Sequence, residues 1–268
     1  MPATLNFLIC GAQKSGTSAL HYYLKDHPEI AISRLKELHI FDDENRNWNA
    51  ESIQKIDNDI AHHFNIESQT KAIGEATPAS LWWKPAMKRI WQYNPNMRLI
   101  AILRNPITRA YANWRMEQLR GKDQGELQLT LLEEEMLCRS ALPQQHRVCS
   151  YLSRGFYSEQ IRRAWQFFPR EQLLILKQDD LLNNPQTTLE TIYRFLNISK
   201  HSAQESINIP SWRTEEAKPE GMQNLLSIPK QTPSDIFFKL MDVYREEIKT
   251  LETMLNWNCD HWLTYSAH

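Results

Sequence analysis

Residues 11–18 read Gly11-Ala12-Gln13-Lys14-Ser15-Gly16-Thr17-Ser18, directly after the apolar run that ends at Cys10. Glycines let successive backbone N–H groups turn inward, and a helix starting behind them adds free N–H groups and the positive end of its dipole. The pattern is an anion cradle with a lysine inside it. The common phosphate loop GxxxxGK[ST] would place that lysine at position 17, where this chain has Thr17; its lysine stands at position 14. A second apolar run, Arg98 to Leu103, leads into Arg104, where magnesium-dependent nucleotidases usually carry an acidic residue. Arginine offers a planar fork of donors suited to a phosphate, not to a cation. These residues describe two anion pockets and no magnesium ligand.

The elements that must position them follow from the apolar pattern. Residues 5–10, 98–103 and 172–177 are continuous apolar runs and read as buried strands, while helical spacing covers 18–26, 107–120, 186–196 and 234–255. Alternating strands and helices predict an α/β fold: a P-loop-like, three-layer domain with a central parallel sheet flanked by helices. In such sheets ligands bind beyond the carboxyl ends of the strands, which is where the loop at 11–18 and Arg104 fall. A single domain over 1–268 is expected. Residues 121–150 read as an inserted, partly exposed helical segment, and 208–233, with four prolines, as a surface loop that orders on ligand.

Composition narrows the partners. Lys and Arg number 31 against 32 Asp and Glu, a net charge of −1, so no global basic field favours nucleic acid or an anionic membrane. Nine Trp, nine Tyr and nine Phe spread along 268 residues exclude a disordered chain. Cys10, Cys138, Cys149 and Cys259 form neither a CxxC pair nor a spacing with His, so neither a disulfide framework nor a zinc site is expected. No run approaches the roughly 20 apolar residues of a membrane helix, no leader is read at the start, and a reducing, cytoplasmic location is expected. His62-His63 lacks a third metal ligand and reads as helix surface, and Glu133-Glu134-Glu135 as a charged, solvated face.

Gly11 to Ser18 resembles the 5′-phosphosulfate loop of sulfotransferases that use 3′-phosphoadenosine 5′-phosphosulfate (PAPS). Leu103-Arg104-Asn105-Pro106-Ile107-Thr108-Arg109-Ala110-Tyr111 is similar to their 3′-phosphate motif, and Lys36-Glu37-Leu38-His39-Ile40-Phe41 to the Lys-Glu-x-His-Phe-Phe segment of the heparan-sulfate-type branch. Gly74-Glu75-Ala76-Thr77-Pro78 follows at a fitting distance, and Gly155-Phe156-Tyr157, Phe168 to Gln172 and the closing Leu255…His261-Trp262 resemble bacterial members of that branch, so the likeness spans essentially the whole chain.

The resemblance implies roles. Gln13, Lys14, Ser15, Gly16, Thr17 and Ser18 would hold the phosphosulfate, with Lys14 stabilising charge on the leaving oxygen as the sulfuryl group departs. Glu37 would be the general base that takes the acceptor proton; on an extended segment His39 would face the same side and is the alternative base, or else a structural histidine. Arg104 would hold the 3′-phosphate. The chain departs from the family at Ala112 (usually serine), at Ala76 (commonly lysine), at Gln178 (often aromatic), and in the closing loop, where Arg213 and Lys230 stand in for a Lys-Gly-Arg run.

Trp82 and Trp83 are the pair to test as acceptor contacts; the other tryptophans read as core or groove wall. The expected activity is metal-free, in-line sulfuryl transfer from PAPS to a hydroxyl, or less readily an amine, of a carbohydrate, lipid or small metabolite. A P-loop kinase and a non-catalytic nucleotide sensor or scaffold are the rival readings.

Overall fold

The structure, a computed structural model, describes residues 4–201 and 231–265. Its strands are β1 (Phe7–Gly11), β2 (Ile30–Ile32), β3 (Ala72–Ala76), β4 (Arg98–Leu103) and β5 (Leu173–Lys177), in the order β2-β3-β1-β4-β5. Every pairing is parallel. Helices before β4 are α1 (Thr17–Lys25), α2 (Ala50–Gln54), α3 (Ile56–Ile60), α4 (Ala79–Trp82) and α5 (Ala86–Tyr93). After it come α6 (Pro106–Leu119), α7 (Leu127–Ser140), α8 (Tyr157–Ala164), α9 (Gln178–Asn183), α10 (Pro185–Leu196) and α11 (Ser234–Leu255).

Two compact units divide the chain, Met1–Leu103 with Ile161–Pro210, and Arg104–Gln160 with Ser211–His268. The first holds the whole sheet. One sheet face packs Phe7, Ile9, Ile100 and Ile102 against Leu20 and Leu24 of α1 and Leu189 and Ile192 of α10. Leu8, Cys10 and Leu99, which alternate with them, are equally buried, so the other face is covered as well. There α4 lies so close to β1 that a Cβ on Gly11 would stand 2.6 Å from Leu81 Cδ2. Glycine is the residue that permits this approach.

Two strands lie outside the apolar runs. β2 is the three residues Ile-Ala-Ile, and β3 reads Ala-Ile-Gly-Glu-Ala, with a glycine and a carboxylate breaking its apolar character. The acidic Asp179-Asp180 opens a helix of its own, α9, with the negative charge at the end where the dipole favours it.

The second unit is helical among the described residues. Asn105 caps α6, its Oδ1 accepting the Ile107 N–H at 3.0 Å, with Pro106 in the first turn. Within 121–150 the structure forms α7. The charged run on it is not uniformly solvated. Glu134 is buried, and its carboxylate accepts the N–H groups of Leu152 (2.7 Å) and Ser153 (3.0 Å), closing the start of the short turn at Ser153–Gly155. The free N–H groups of that turn need an acceptor, and one glutamate of the three reaches inward to supply it.

Candidate functional site

β1 delivers the chain into the cradle. The Ala12 N–H still bonds to Ile102 O of β4 at 2.8 Å, and the Ser15 N–H turns back to Ala12 O at 3.2 Å. Lys14 and Gly16 then take positive φ values of 67° and 95°. At Gly16 this left-handed turn swings the chain into α1, whose first turn is met by no side-chain cap. An uncapped helix start behind a tight loop leaves its N–H groups directed at an anion. Ser15 is fully buried, and its Oγ has no hydrogen-bond partner among the described residues, the kind of orphaned donor that a bound oxyanion would satisfy. Thr17 is buried beside it, and Ser18 is exposed. The loop residues therefore fit a phosphosulfate group. Gln178, at the start of α9, lies over this turn, its Nε2 3.4 Å from where a Cβ on Gly16 would sit, so the position that departs from the family's aromatic faces the cradle.

The segment from Lys36 to Glu44 forms a second candidate cluster. It is not extended: Glu37 and His39 both adopt positive φ, 63° and 52°. The turned backbone nonetheless brings the two side chains to one side, with His39 Nε2 3.6 Å from Glu37 Oε2. Lys36 pairs with the other oxygen of Glu37. On the far side of the ring, His39 Nδ1–H donates to Asp42 Oδ2 at 2.9 Å, and the Asp42 side chain is fully buried. That bond and the carboxylate charges around it hold the imidazole above its ordinary pKa, against a smaller opposing pull from burial. Asp42 joins this candidate cluster although the motif reading passed over it; its signal is the spacing His-x-x-Asp, which a single turn folds into contact.

This loop is fastened to β3 and α5. The Glu37 N–H donates to Ala76 O at 2.9 Å and the His39 N–H to Thr77 Oγ1 at 3.2 Å. Arg89 forks onto both oxygens of Glu44 (2.8 and 2.9 Å) and reaches Phe41 O at 3.1 Å. Trp83 completes the anchor, its Nε1–H donating to Glu44 Oε1 at 2.6 Å. Trp82 and Trp83 are buried at 6% and 1% exposure and pack ring against ring, so they offer no face for a sugar to stack on.

In the second unit Arg104 is half-buried and locally oriented. Its Nε–H donates to Thr108 Oγ1 at 2.9 Å, and the Tyr157 hydroxyl holds its carbonyl at 3.0 Å. Asn105 Nδ2 donates to Trp262 O at 2.8 Å, tying the closing His-Trp segment to the same turn. Arg109 of the same motif is fully buried and serves the interior, bonding Asn113 Oδ1 (3.2 Å) and the Tyr151 carbonyl. Arg213 and Lys230 lie outside the described residues. Among the described residues no group of three His, Cys, Asp or Glu side chains is placed to hold a metal ion, and no helix is long and apolar enough to cross a membrane.

Comparison with known proteins gives the geometry its context. Human bifunctional heparan sulfate N-deacetylase/N-sulfotransferase 2 is 28% identical over 205 residues, 72% of this chain and 22% of that protein. Human heparan sulfate glucosamine 3-O-sulfotransferase 5 is 26% identical over 201 residues, 75% of this chain and 55% of that protein. The chain thus spans about a fifth of the first relative and about half of the second. Among solved structures, a sulfotransferase from Alicyclobacillus acidocaldarius superposes with a TM-score of 0.74 at 22% identity, covering 97% of this chain and 99% of that one. Mouse sulfotransferase SULT7A1 complexed with PAP superposes at 0.51 with 10% identity, covering 93% and 86%. The family model for the sulfotransferase domain matches residues 5–247, from the first strand through most of the last helix, and the chain therefore belongs to the sulfotransferase family.

Proposed function

We propose that this sulfotransferase takes PAPS as donor and moves its sulfuryl group in line to a hydroxyl or amine of a glycan-type acceptor, with cationic side chains where other nucleotide enzymes use a divalent ion. The observation that carries this reading is the cradle: a lysine inside a left-handed turn, a buried serine hydroxyl without a hydrogen-bond partner among the described residues, and an uncapped helix start behind them. In the reaction the acceptor oxygen or nitrogen bonds to sulfur, the bond from sulfur to the phosphate oxygen breaks, and the acceptor proton passes to Glu37. Lys14 stabilises the negative charge that grows on the departing oxygen. Gln13, Ser15, Gly16, Thr17 and Ser18 hold the 5′ end of the donor and Arg104 its 3′-phosphate. His39, bound between Glu37 and Asp42, steers the Glu37 carboxylate and shares its charge.

A glycan acceptor is supported by the relatives' names, which include both an N-sulfotransferase and a 3-O-sulfotransferase of heparan sulfate. PAPS is supported by the PAP complex of the mouse protein. The family match runs across both units and supports one sulfotransferase domain, and neither the kinase nor the sensor reading is favoured by it. Cys10, Cys138 and Cys149, in no disulfide among the described residues, fit a reducing compartment.

The test pairs binding with turnover. 3′-Phosphoadenosine 5′-phosphate should raise the melting temperature, and labelled sulfate should pass from PAPS to a panel of heparan-type oligosaccharides. Lys14→Ala should lose about 10²–10³ in turnover, as removal of a transition-state donor does. Glu37→Gln should bind the nucleotide normally and transfer nothing; normal transfer by this variant refutes the base assignment.

A further inference from the structure

Glu75 is a buried carboxyl that the reaction above does not use. It sits on β3 opposite Leu8 of β1, with no exposed surface. A glutamate at such a place is rare, because burial penalises its charged form unless hydrogen bonds or a cation compensate. Its compensation is partial. Thr77 Oγ1 donates to Oε2 at 2.8 Å, while Oε1 has no hydrogen-bond partner of normal geometry among the described residues.

The groups acting on it come from its own strand end, from β1 and from the base loop. They are Thr77 beyond the end of its own strand, the Cys10 thiol from β1, and the Leu38 N–H, the Asp42 carboxylate and the His39 ring from the base loop. Of these only His39 can carry positive charge. The Thr77 hydroxyl that donates to Glu75 is also the acceptor for the His39 N–H, so one hydroxyl joins the buried carboxyl to the base loop.

We infer that Glu75 is a positioning residue for the base: its carboxyl orients the Thr77 hydroxyl that holds the His39 backbone, and its charge sets how firmly His39 keeps a proton between Glu37 and Asp42. The inference rests on the proposed role of Glu37. Coupling of this kind is reciprocal, since a charge on Glu75 favours the imidazolium and the imidazolium favours the charge. Burial pushes Glu75 up to about 7, so the coupling operates near neutral pH.

The experiment is an NMR titration of the His39 ring, assigned with His39→Asn, in the wild-type chain, in Glu75→Gln and in Thr77→Val. Glu75→Gln removes the charge and keeps the shape, and the His39 midpoint should fall. An unchanged midpoint overturns the inference. In the wild-type chain, which needs no folding of a variant, the Glu75 carboxyl carbon and the His39 ring should respond to each other over one pH range; two independent curves overturn it. Thr77→Val should lower kcat with the KM for PAPS unchanged, and Thr77→Ser should restore it; a loss in KM alone counts against the role. The ring titration needs neither donor nor acceptor. A wild-type chain that forms no sulfated product would therefore refute the proposed function while leaving the measured coupling intact.

Discussion

Replacing Glu75 by glutamine should flatten the pH dependence of stability in a way the structure makes quantitative. The side chain is fully buried, and its pKa is pushed from the ordinary 4.5 to about 7 by loss of hydration. Between those values the folded chain holds a proton that the unfolded chain has released, so the wild-type protein loses stability as pH rises across that window. Below pH 4.5 both states are protonated and the burial is cheapest; above about 7 both are ionised and the full cost is present. At about 1.4 kcal/mol for each pH unit in the window, the cost is about 3 kcal/mol, a large part of the 5–15 kcal/mol that holds a typical domain folded. Glutamine does not titrate and can still accept the Thr77 hydroxyl. Urea unfolding at half-unit steps from pH 4.5 to 8.5 should show the two proteins drawing apart by about 3 kcal/mol, with Glu75→Gln the more stable at the alkaline end. Parallel curves would refute the reasoning, because they would mean that the carboxyl is ionised at no special cost.

Three further outcomes follow from single contacts. Gly16→Ala, at φ 95°, should cost roughly 1–2 kcal/mol of stability by urea unfolding and weaken nucleotide binding as the turn relaxes. Thr108→Val removes the acceptor for Arg104 Nε, and by isothermal titration affinity for 3′-phosphoadenosine 5′-phosphate should fall roughly 5–10-fold while that for adenosine 5′-phosphate stays the same. Glu134→Ala strips the N–H groups of Leu152 and Ser153 of their acceptor and should destabilise by about 2–4 kcal/mol, whereas the exposed Glu133→Ala should stay within about 0.5 kcal/mol.

The strands that reveal themselves in sequence are those whose residues need nothing but burial. β1 and β4 are apolar runs buried almost throughout, as a parallel sheet covered on both faces asks, while β5, at the sheet edge, is an apolar run that is only partly buried. β3 stayed hidden because Glu75 and Gly74 interrupt it for reasons of site and packing; a Cβ at Gly74 would meet the Phe7 ring at 2.5 Å. β2 is too short for periodicity to register. At the site, the cradle was legible because glycine and lysine at fixed spacing have few other uses. Glu75 was not, since a lone acidic residue in sequence carries no sign of whether it faces water or the interior, and Asp42 showed only through its spacing from His39. The same blindness explains Glu134, which looks identical to its two neighbours until α7 turns it inward, and the two tryptophans, whose exposure depends on which way α4 rolls.

The strand order bears on how the chain is made. Of the five strands β1 is synthesised before the others, yet it occupies the middle of the sheet, and both of its neighbours, β3 and β4, lie downstream, the second ending at Leu103. At about 5–20 residues per second, synthesis leaves a sticky apolar strand with two open edges for several seconds or more. Slowed translation ahead of β4, or scarcity of holdase chaperones, should therefore reduce recovered protein more sharply than delays placed after it.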